Sequence, residues 1–232
     1  MKQIQQINLG YIWYMAKKKY KTILFDLDGT LIDSKPGILT SIRETLGHYQ
    51  IPYTEDVINK MIGPPFRVSM RELLGVQDMA LVEKLIEYYR THYKAGAWRD
   101  CSIYDGVVSM LATLRDMGYT LGLATSKPLQ YTTIIMDELD LTKYFDYVGG
   151  ASGDATIEAK TDVINHVLSK LNVTDLNGVL MIGDRLYDIV GAKASGVDSM
   201  GILWGYGDRA EHENCGADYI VTTPNEVVDF LS

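Results

Sequence analysis

The feature that most constrains the fold is an alternation of short apolar runs with helical patterns, which fills the chain after residue 105. The apolar runs are rich in β-branched residues and predict strands, and the stretches between them have the periodicity of amphipathic helices. This order is typical of βαβ units, which build a parallel sheet covered by helices. The predicted strands are Thr22–Asp28, Thr120–Ser126, Tyr147–Ala151, Val179–Asp184 and Ser199–Leu203, with a short edge strand at Tyr219–Val221.

The stretch between the first predicted strand and Tyr104 has a different pattern. Apolar residues recur there at three- and four-residue spacing, and Gly63-Pro64-Pro65 must separate two helices because proline lacks an amide donor. The predicted helices are Ile38–Tyr49, Thr54–Ile62, Phe66–Leu74 and Met79–Tyr93. We therefore predict three parts: an N-terminal extension (residues 1–20), an α/β core (residues 21–32 and 105–232) and an all-helical insertion (residues 33–104).

Composition narrows the classes of partner. The 232 residues carry a net charge of -8, which argues against binding to nucleic acid or to an anionic membrane. The two cysteines, Cys101 and Cys215, form neither a disulfide framework nor a zinc motif, and the chain has no apolar run of about 18 residues. We expect a cytoplasmic monomer or homodimer that acts on a small molecule, without a nucleic-acid or membrane partner.

Acidic residues follow two of the predicted strands. Asp26 and Asp28 end the first, and positions two apart on a strand share a face, so both can approach one ligand. Asp184 and Asp188 follow a later strand, and their spacing places them on one side of a helix that starts there. Each pair has a structural alternative, namely a turn for the first and helix capping with dipole compensation for the second.

Hydroxyl and amino groups occur at comparable places. Thr125 and Ser126 end a strand directly before a helix, where hydroxyl and amide donors can bind an anion, although Ser126 could equally cap that helix. Lys160 lies near the start of the predicted helix 161–171, and a lone lysine is usually a solvated charge. Ligands of open α/β sheets bind beyond the carboxyl ends of the strands, so the combination of these groups favours one site.

These residues resemble the motifs of the haloacid dehalogenase (HAD) superfamily, in particular its phosphatases with a helical cap inserted after the first strand. The resemblance covers nearly everything from residue 21 onward and implies a Rossmann-like parallel sheet. The segment Gly183–Val197 is similar to the phosphoglycolate phosphatase and bacterial 5′-nucleotidase-like branches. The four motifs are, in order, Asp26-Leu27-Asp28-Gly29-Thr30, Thr125, Lys160 and Gly183-Asp184-Arg185-Leu186-Tyr187-Asp188.

The resemblance implies a role for each residue. Asp26 would attack phosphorus, and Asp28 would protonate the leaving oxygen and then deprotonate water. Thr125, Ser126 and Lys160 would hold phosphoryl oxygens. Mg²⁺ would be bound at Asp26, Asp184 and the Asp28 carbonyl, with Asp188 supporting the metal shell.

The implied activity is hydrolysis of a small phosphomonoester, with phosphoglycolate or a nucleoside monophosphate as the expected substrate. Asp28 favours phosphate esters, because dehalogenases of this superfamily lack the second motif aspartate. Arg67 is the expected substrate contact of the cap, with a surface arginine as the alternative. A phosphomutase and a non-catalytic phospho-ligand-binding regulator are the competing functions. Lys160 departs from many relatives in being followed by Thr161 rather than proline.

Overall fold

The computed structural model describes residues 20–62, 66–152 and 156–232. The predicted N-terminal extension, except for Tyr20, and the predicted helix break at residues 63–65 lie outside this part of the chain. The chain forms two compact units, one of residues 20–30 with Asp105–Ser232 and the other of Leu31–Tyr104. The second unit begins two residues before the predicted insertion and ends at the same residue.

The strands and helices alternate through most of the chain. The strands are β1 (Thr22–Phe25), β2 (Ile32–Asp33), β3 (Ser102–Ile103), β4 (Thr120–Pro128), β5 (Tyr147–Ala151), β6 (Val179–Gly183), β7 (Asp198–Ile202) and β8 (Tyr219–Val221). The helices are α1 (Lys35–His48), α2 (Glu55–Lys60), α3 (Phe66–Glu72), α4 (Met79–Ala95), α5 (Val107–Asp116), α6 (Leu129–Glu138), α7 (Lys160–Lys170), α8 (Leu186–Ala194), α9 (Arg209–Cys215) and α10 (Pro224–Leu231).

The first unit is built on a six-stranded sheet in the order β5-β4-β1-β6-β7-β8, with every neighbouring pair parallel. Its central strand β1 is fully buried, as expected of a strand covered on both faces. Leu24 packs in a core with side chains of α7 and α8, such as Val163 and Ala192. The predicted α/β class with a Rossmann-like parallel sheet is therefore confirmed.

The register of the sheet brings three strand ends to one level. Phe25 of β1 pairs with Leu123 of β4 on one side and with Ile182 of β6 on the other. The chain runs outward from β1 through β4 to β5, then returns to the other side of β1 at β6. The carboxyl ends of β1, β4 and β6 therefore lie at the point where the strand order reverses, which is where ligands bind in such sheets.

Most predicted strands match the structure within one or two residues, and the exceptions lie at the candidate site. Strand β1 ends at Phe25 rather than Asp28, because the chain turns at Gly29, whose φ is +81°. Strand β4 continues to Pro128, past the predicted end at Ser126, after a register shift against β5 between Ala124 and Pro128. Helix α6 consequently begins at Leu129, with Pro128 as its N-cap. The alternative of Ser126 as the cap is wrong.

The second unit is mainly helical, with α1 packed against α4 and α4 against α3. Its half-buried tyrosines stack on neighbouring rings, Tyr88 on His48 and Tyr89 on Phe66. The unit is not entirely helical, because β2 and β3 form a two-stranded antiparallel pair in which Ile32 lies opposite Ile103. These strands are only two residues long, which is too short for a periodic sequence pattern to reveal.

Two smaller expectations concern cysteines and membrane segments. Cys101 and Cys215 are both free thiols, so no disulfide links them. Across the residues that the structure describes, none of the helices has the length and apolar character that crossing a bilayer requires.

Candidate active site

Three aspartates that the sequence analysis singled out meet at the carboxyl ends of the central strands. Asp26 follows β1, Asp184 follows β6, and Asp188 lies in the first turn of α8. One carboxylate oxygen from each lies within 4.8 Å of the others. Asp184 and Asp188 are almost completely buried. We call these three residues the acid group.

Asp188 both belongs to the acid group and caps a helix. Its Oδ2 accepts the backbone N–H of Arg185, the N-cap residue of α8, at 3.0 Å. Capping by Asp184, the alternative considered from the sequence, is wrong, because Asp184 precedes the N-cap. The capping bond engages one oxygen of Asp188 and leaves Oδ1 directed toward Lys160. The structural and functional interpretations of Asp188 are therefore compatible.

Lys160 is the buried countercharge of the acid group. Its Nζ lies 2.8 Å from Asp26 Oδ1 and 2.8 Å from Asp188 Oδ1, and it donates a hydrogen bond to the Ala124 carbonyl at 3.0 Å. The ammonium has three N–H donors, which matches the three chain oxygens around it. Lys160 is thus a buried structural charge of the site and not the solvated lysine of the alternative interpretation.

Burial and crowding disturb the ionisation of these groups. Burial raises the pKa of Asp26 to about 6, against the opposing effect of Lys160 and with a further increase from Asp188. Burial likewise raises the pKa of Asp184 well above its ordinary value, and the charges of Asp188 and Asp26 add to the effect. Burial alone would lower the pKa of Lys160, but the two neighbouring carboxylates outweigh it and raise that pKa. Burial and the crowding of carboxylates therefore oppose the charged forms of Asp26 and Asp184.

The acid group suits a hard divalent cation. Carboxylate oxygens are the ligands that Mg²⁺ prefers, and one lysine cannot balance three carboxylates. Asp26 Oδ1 and Asp188 Oδ1 are buried and share the single Lys160 ammonium as their countercharge. Such oxygens are costly unless a cation or proton satisfies them. The residues present therefore fit the magnesium ion that the sequence implied.

Asp28 is held apart from the acid group. Its two carboxylate oxygens each lie 2.9 Å from Nζ of Lys127, near the end of β4. The Lys127 side chain is 6% exposed and that of Asp28 is 22% exposed. Lys127 lies just beyond the predicted end of this strand at Ser126, and no role was predicted for it. The two acids of the first motif are thus held by two different lysines.

The hydroxyl residues of the second motif differ in exposure. Thr125 is buried, and its Oγ1 accepts the backbone N–H of Lys127 at 3.2 Å. This bond uses a lone pair of the hydroxyl and not its proton, which remains available for donation. Ser126 is exposed, because alternate side chains on β4 point to opposite faces. Only Thr125 shares the buried environment of Lys160.

A loop that the sequence analysis missed encloses Asp184. The Tyr206 N–H donates to Asp184 Oδ2 at 2.8 Å, and the Trp204 indole donates to the Thr30 carbonyl at 3.0 Å. A Cβ at Gly205 would lie 2.2 Å from the Gly29 carbonyl oxygen and 2.4 Å from Asp184 Cβ, so only glycine fits. The loop therefore links the turn after β1 to the carboxyl end of β6.

The turn of the first motif, at Gly29, also lies close to Asp184. Gly29 has a φ of +81°, and a Cβ there would lie 2.2 Å from Asp184 Oδ2. Thr30 Oγ1, one residue later, donates to Asp184 Oδ1 at 3.4 Å. Glycine is required at this position for both its backbone conformation and its lack of a side chain.

Arg67 lies in the second unit, at the start of α3. Its guanidinium forms a two-pronged ion pair with Glu83 of α4, at 2.8 and 2.9 Å. Both side chains are about half exposed. This pair supports the surface-arginine alternative without testing the predicted contact with substrate.

Comparison with known proteins identifies the family. The family model described as haloacid dehalogenase-like hydrolase matches residues 23–202, which include every motif residue of the site. A solved structure from Clostridium acetobutylicum, described as a predicted phosphatase, superposes with a TM-score of 0.84 and 37% identity. That superposition covers 90% of this chain and 96% of the other.

Three curated relatives extend the comparison. Tyrosine-protein kinase PtkA of Mycobacterium tuberculosis is 37% identical over 89% of this chain and 67% of its own length. A 5′-nucleotidase of Pseudomonas aeruginosa is 32% identical over 84% of this chain and 88% of its own, and a phosphoglycolate phosphatase of Agrobacterium fabrum is 29% identical over 80% and 81%. The two branches that the sequence resembled are thus both present among the relatives. The chain belongs to the haloacid dehalogenase-like hydrolases, and within that family it is a phosphatase.

Proposed function

We propose that this enzyme is a Mg²⁺-dependent phosphomonoesterase that works through an aspartyl-phosphate at Asp26. The observation that carries the proposal is the acid group itself, in which Asp26 lies against Asp184, Asp188 and the buried Lys160. A carboxylate is a weak nucleophile toward a phosphate dianion unless positive charge lies beside both. Lys160 supplies such charge directly next to Asp26.

The first chemical step joins an oxygen of Asp26 to phosphorus. The bond between phosphorus and the ester oxygen breaks, and Asp28 donates a proton to the departing oxygen. In the second step water attacks the same phosphorus, Asp28 takes the proton from that water, and the Asp26–phosphorus bond breaks. Inorganic phosphate leaves, and both aspartates return to their starting states.

Other residues stabilise the transferring group. Thr125 has a hydroxyl proton to donate, and Lys160 adds positive charge where the transition state spreads negative charge over phosphoryl oxygens. Asp26, Asp184 and Asp188, with the Asp28 carbonyl, would hold Mg²⁺, which supplies positive charge that offsets the repulsion between the acid group and phosphate. A phosphate contact by Ser126 stays a prediction.

The proposed substrate is a small phosphorylated metabolite, with phosphoglycolate or a nucleoside monophosphate preferred. The names of two relatives, a phosphoglycolate phosphatase and a 5′-nucleotidase, support these two candidates. Selection among substrates is assigned to the second unit, acting as a cap, with Arg67 as its predicted contact. A cytoplasmic location and a monomeric or homodimeric state also stay predictions.

The covalent mechanism is tested by replacing Asp26 with Asn. We expect phosphate release from phosphoglycolate, AMP or a sugar phosphate to fall by about 10⁴-fold or more, as when other enzymes lose their nucleophile. The wild type, quenched in acid during turnover, should carry a phosphoryl group on the peptide that contains Asp26. The control is Asp140→Asn, an exposed aspartate with φ of +56°, which asparagine tolerates. Full activity in Asp26→Asn would exclude the mechanism.

The acceptor of the phosphoryl group separates hydrolysis from its alternatives. A phosphomutase would form the same intermediate and return the group to a sugar, and one relative is named a kinase. Product analysis with a sugar phosphate therefore accompanies the screen. Isomer formation without free phosphate would replace hydrolysis by mutase chemistry, and the absence of any turnover with a bound phospho-ligand would favour a regulator.

A further inference from the structure

The contact between Lys127 and Asp28 differs from an ordinary surface ion pair. The lysine is almost fully buried, and its Nζ is equidistant from both carboxylate oxygens at 2.9 Å. Surface pairs contribute little because two flexible side chains must be ordered and water competes for both. Burial of Lys127 removes most of that competition.

The backbone of Lys127 is fixed on both sides by hydroxyl groups. Its N–H donates to Thr125 Oγ1 at 3.2 Å, and its carbonyl accepts from Thr132 Oγ1 at 3.3 Å. Thr132 is fully buried on α6, and Thr125 is 2% exposed. These two bonds fix the backbone from which the ammonium reaches Asp28, near the end of β4 and within the register shift against β5.

The contact with Lys127 keeps the Asp28 carboxylate outside the neighbouring acid group. Asp26 of the acid group lies two residues away along the chain, and the group offers three ligand oxygens within 4.8 Å of one another. A fourth carboxylate drawn into a metal-binding cluster could no longer meet a leaving group. Asp28 instead keeps a partly exposed side chain, while every member of the acid group is more buried.

We propose that Lys127 is a positioning residue, which holds Asp28 away from the acid group and oriented for proton transfer to the leaving oxygen. The inference rests on the proposed function, since it concerns how Asp28 performs its part of that reaction. Lys127 acts through Asp28 and not on phosphate. On this proposal, the main contribution of Lys127 is not a direct contact with substrate.

The test compares two leaving groups in a double-mutant cycle. Wild type, Asp28→Asn, Lys127→Met and the double variant are assayed with Mg²⁺ on p-nitrophenyl phosphate and on phosphoglycolate or AMP, whichever the wild type hydrolyses faster. Nitrophenolate leaves readily without a proton, whereas an alkoxide needs one. We expect Lys127→Met to lower kcat/KM for the alkyl phosphate by about 10- to 100-fold and for the aryl phosphate much less. The KM should change by less than about threefold.

The double variant decides how Lys127 acts. If Lys127 works through Asp28, the double variant is no slower than Asp28→Asn alone. Lys127→Arg, whose fork also fits a carboxylate, should retain more activity than Lys127→Met. Additive losses, or equal losses on both leaving groups, would overturn the inference while leaving the phosphatase assignment intact. An inactive wild type would instead overturn the proposed function.

Folding of the variants is checked by thermal unfolding. Should Lys127→Met fail to fold, Lys127→Gln, which keeps a polar donor at the end of the chain, carries the same comparison of leaving groups. A loss of stability without any dependence on the leaving group would assign Lys127 a purely structural role and would also overturn the inference.

Discussion

The two buried lysines of the site each form a centre with the aspartates beside them: the first lysine centre is Lys160 with Asp26 and Asp188, and the second is Lys127 with Asp28. The two centres hold their carboxylates in contrasting ways. Lys160 lies between two aspartates and a carbonyl, and every one of its partners is largely or wholly buried. Lys127 is equally buried, but the carboxylate of its partner Asp28 reaches solvent. One sheet edge thus holds two acids in different surroundings: Asp26, which is buried against Lys160, and Asp28, which is partly exposed.

The largest expected difference between the two centres follows from removing Lys160. In Lys160→Met, buried carboxylates lose their countercharge, so we expect kcat/KM to fall by about 10²- to 10³-fold. Without Mg²⁺ the variant should also lose about 3–5 kcal/mol of unfolding free energy, as when one partner of a buried pair is removed. Chemical denaturation and phosphate release measure the two effects.

Lys127→Met is the matched control for stability. Its partner Asp28 can be solvated, so the variant should lose clearly less unfolding free energy than Lys160→Met. Equal losses of stability in the two variants would contradict the distinction between the two centres. Lys160→Arg tests shape as well as charge, because a planar guanidinium cannot direct three donors from one nitrogen.

An effect of intermediate size is expected on the stability of the folded protein when pH and Mg²⁺ are varied. The pKa of Asp26 is raised to about 6, so the metal-free folded protein holds a proton that the unfolded chain releases near pH 4. The contribution of this group to stability is therefore fully present below pH 4 and is lost as the pH rises toward 6. The raised pKa of Asp184 acts in the same direction.

Mg²⁺ should reverse that loss. Saturating Mg²⁺ should raise the melting temperature by about 5–10 °C near pH 7.5 and by much less near pH 4.5, where protons compete for the carboxylates. Differential scanning calorimetry at the two pH values measures the shifts. Asp184→Asn should reduce the shift at pH 7.5, and a shift that is equal at both pH values would argue against the acid group as the metal site.

The smallest effect is expected outside the two lysine centres, at Arg67. If this residue contacts substrate, Arg67→Ala should raise KM by about fivefold, which corresponds to about 1 kcal/mol of binding. Glu83→Gln is the matched control, because it breaks the same ion pair and leaves the arginine in place. An equal rise in KM in both variants would assign the effect to the ion pair, and steady-state kinetics distinguishes the cases.

The fold and the acid group were largely predictable from the sequence. Long apolar runs determine strands such as β6, and parallel strands bring the residues after them to one edge, so Asp26 and Asp184 could be expected to meet. The antiparallel pair of β2 and β3 could not be predicted, because four residues contain no period. It is formed by pairing across some seventy residues of intervening chain.

The second lysine centre was missed for a related reason. Lys127-Pro128 is a typical start of a helix, whereas the structure continues β4 through both residues after a shift in register. That shift arises from pairing with β5, which a local pattern cannot show. The loop around Asp184 did carry a signal, because Gly205-Tyr206-Gly207 follows a strand at the same sheet edge. A glycine on each side of one residue there indicates close backbone approach.

The short antiparallel pair has a consequence for how the inserted unit can be exchanged. Asp33 lies opposite Ser102, so the chain enters and leaves this unit at adjacent positions on one ribbon. A two-residue turn between those positions would complete a hairpin and leave the order of the remaining chain intact. On the proposed role of this unit in substrate selection, its exchange would alter the substrates that the enzyme accepts and leave the acid group unchanged.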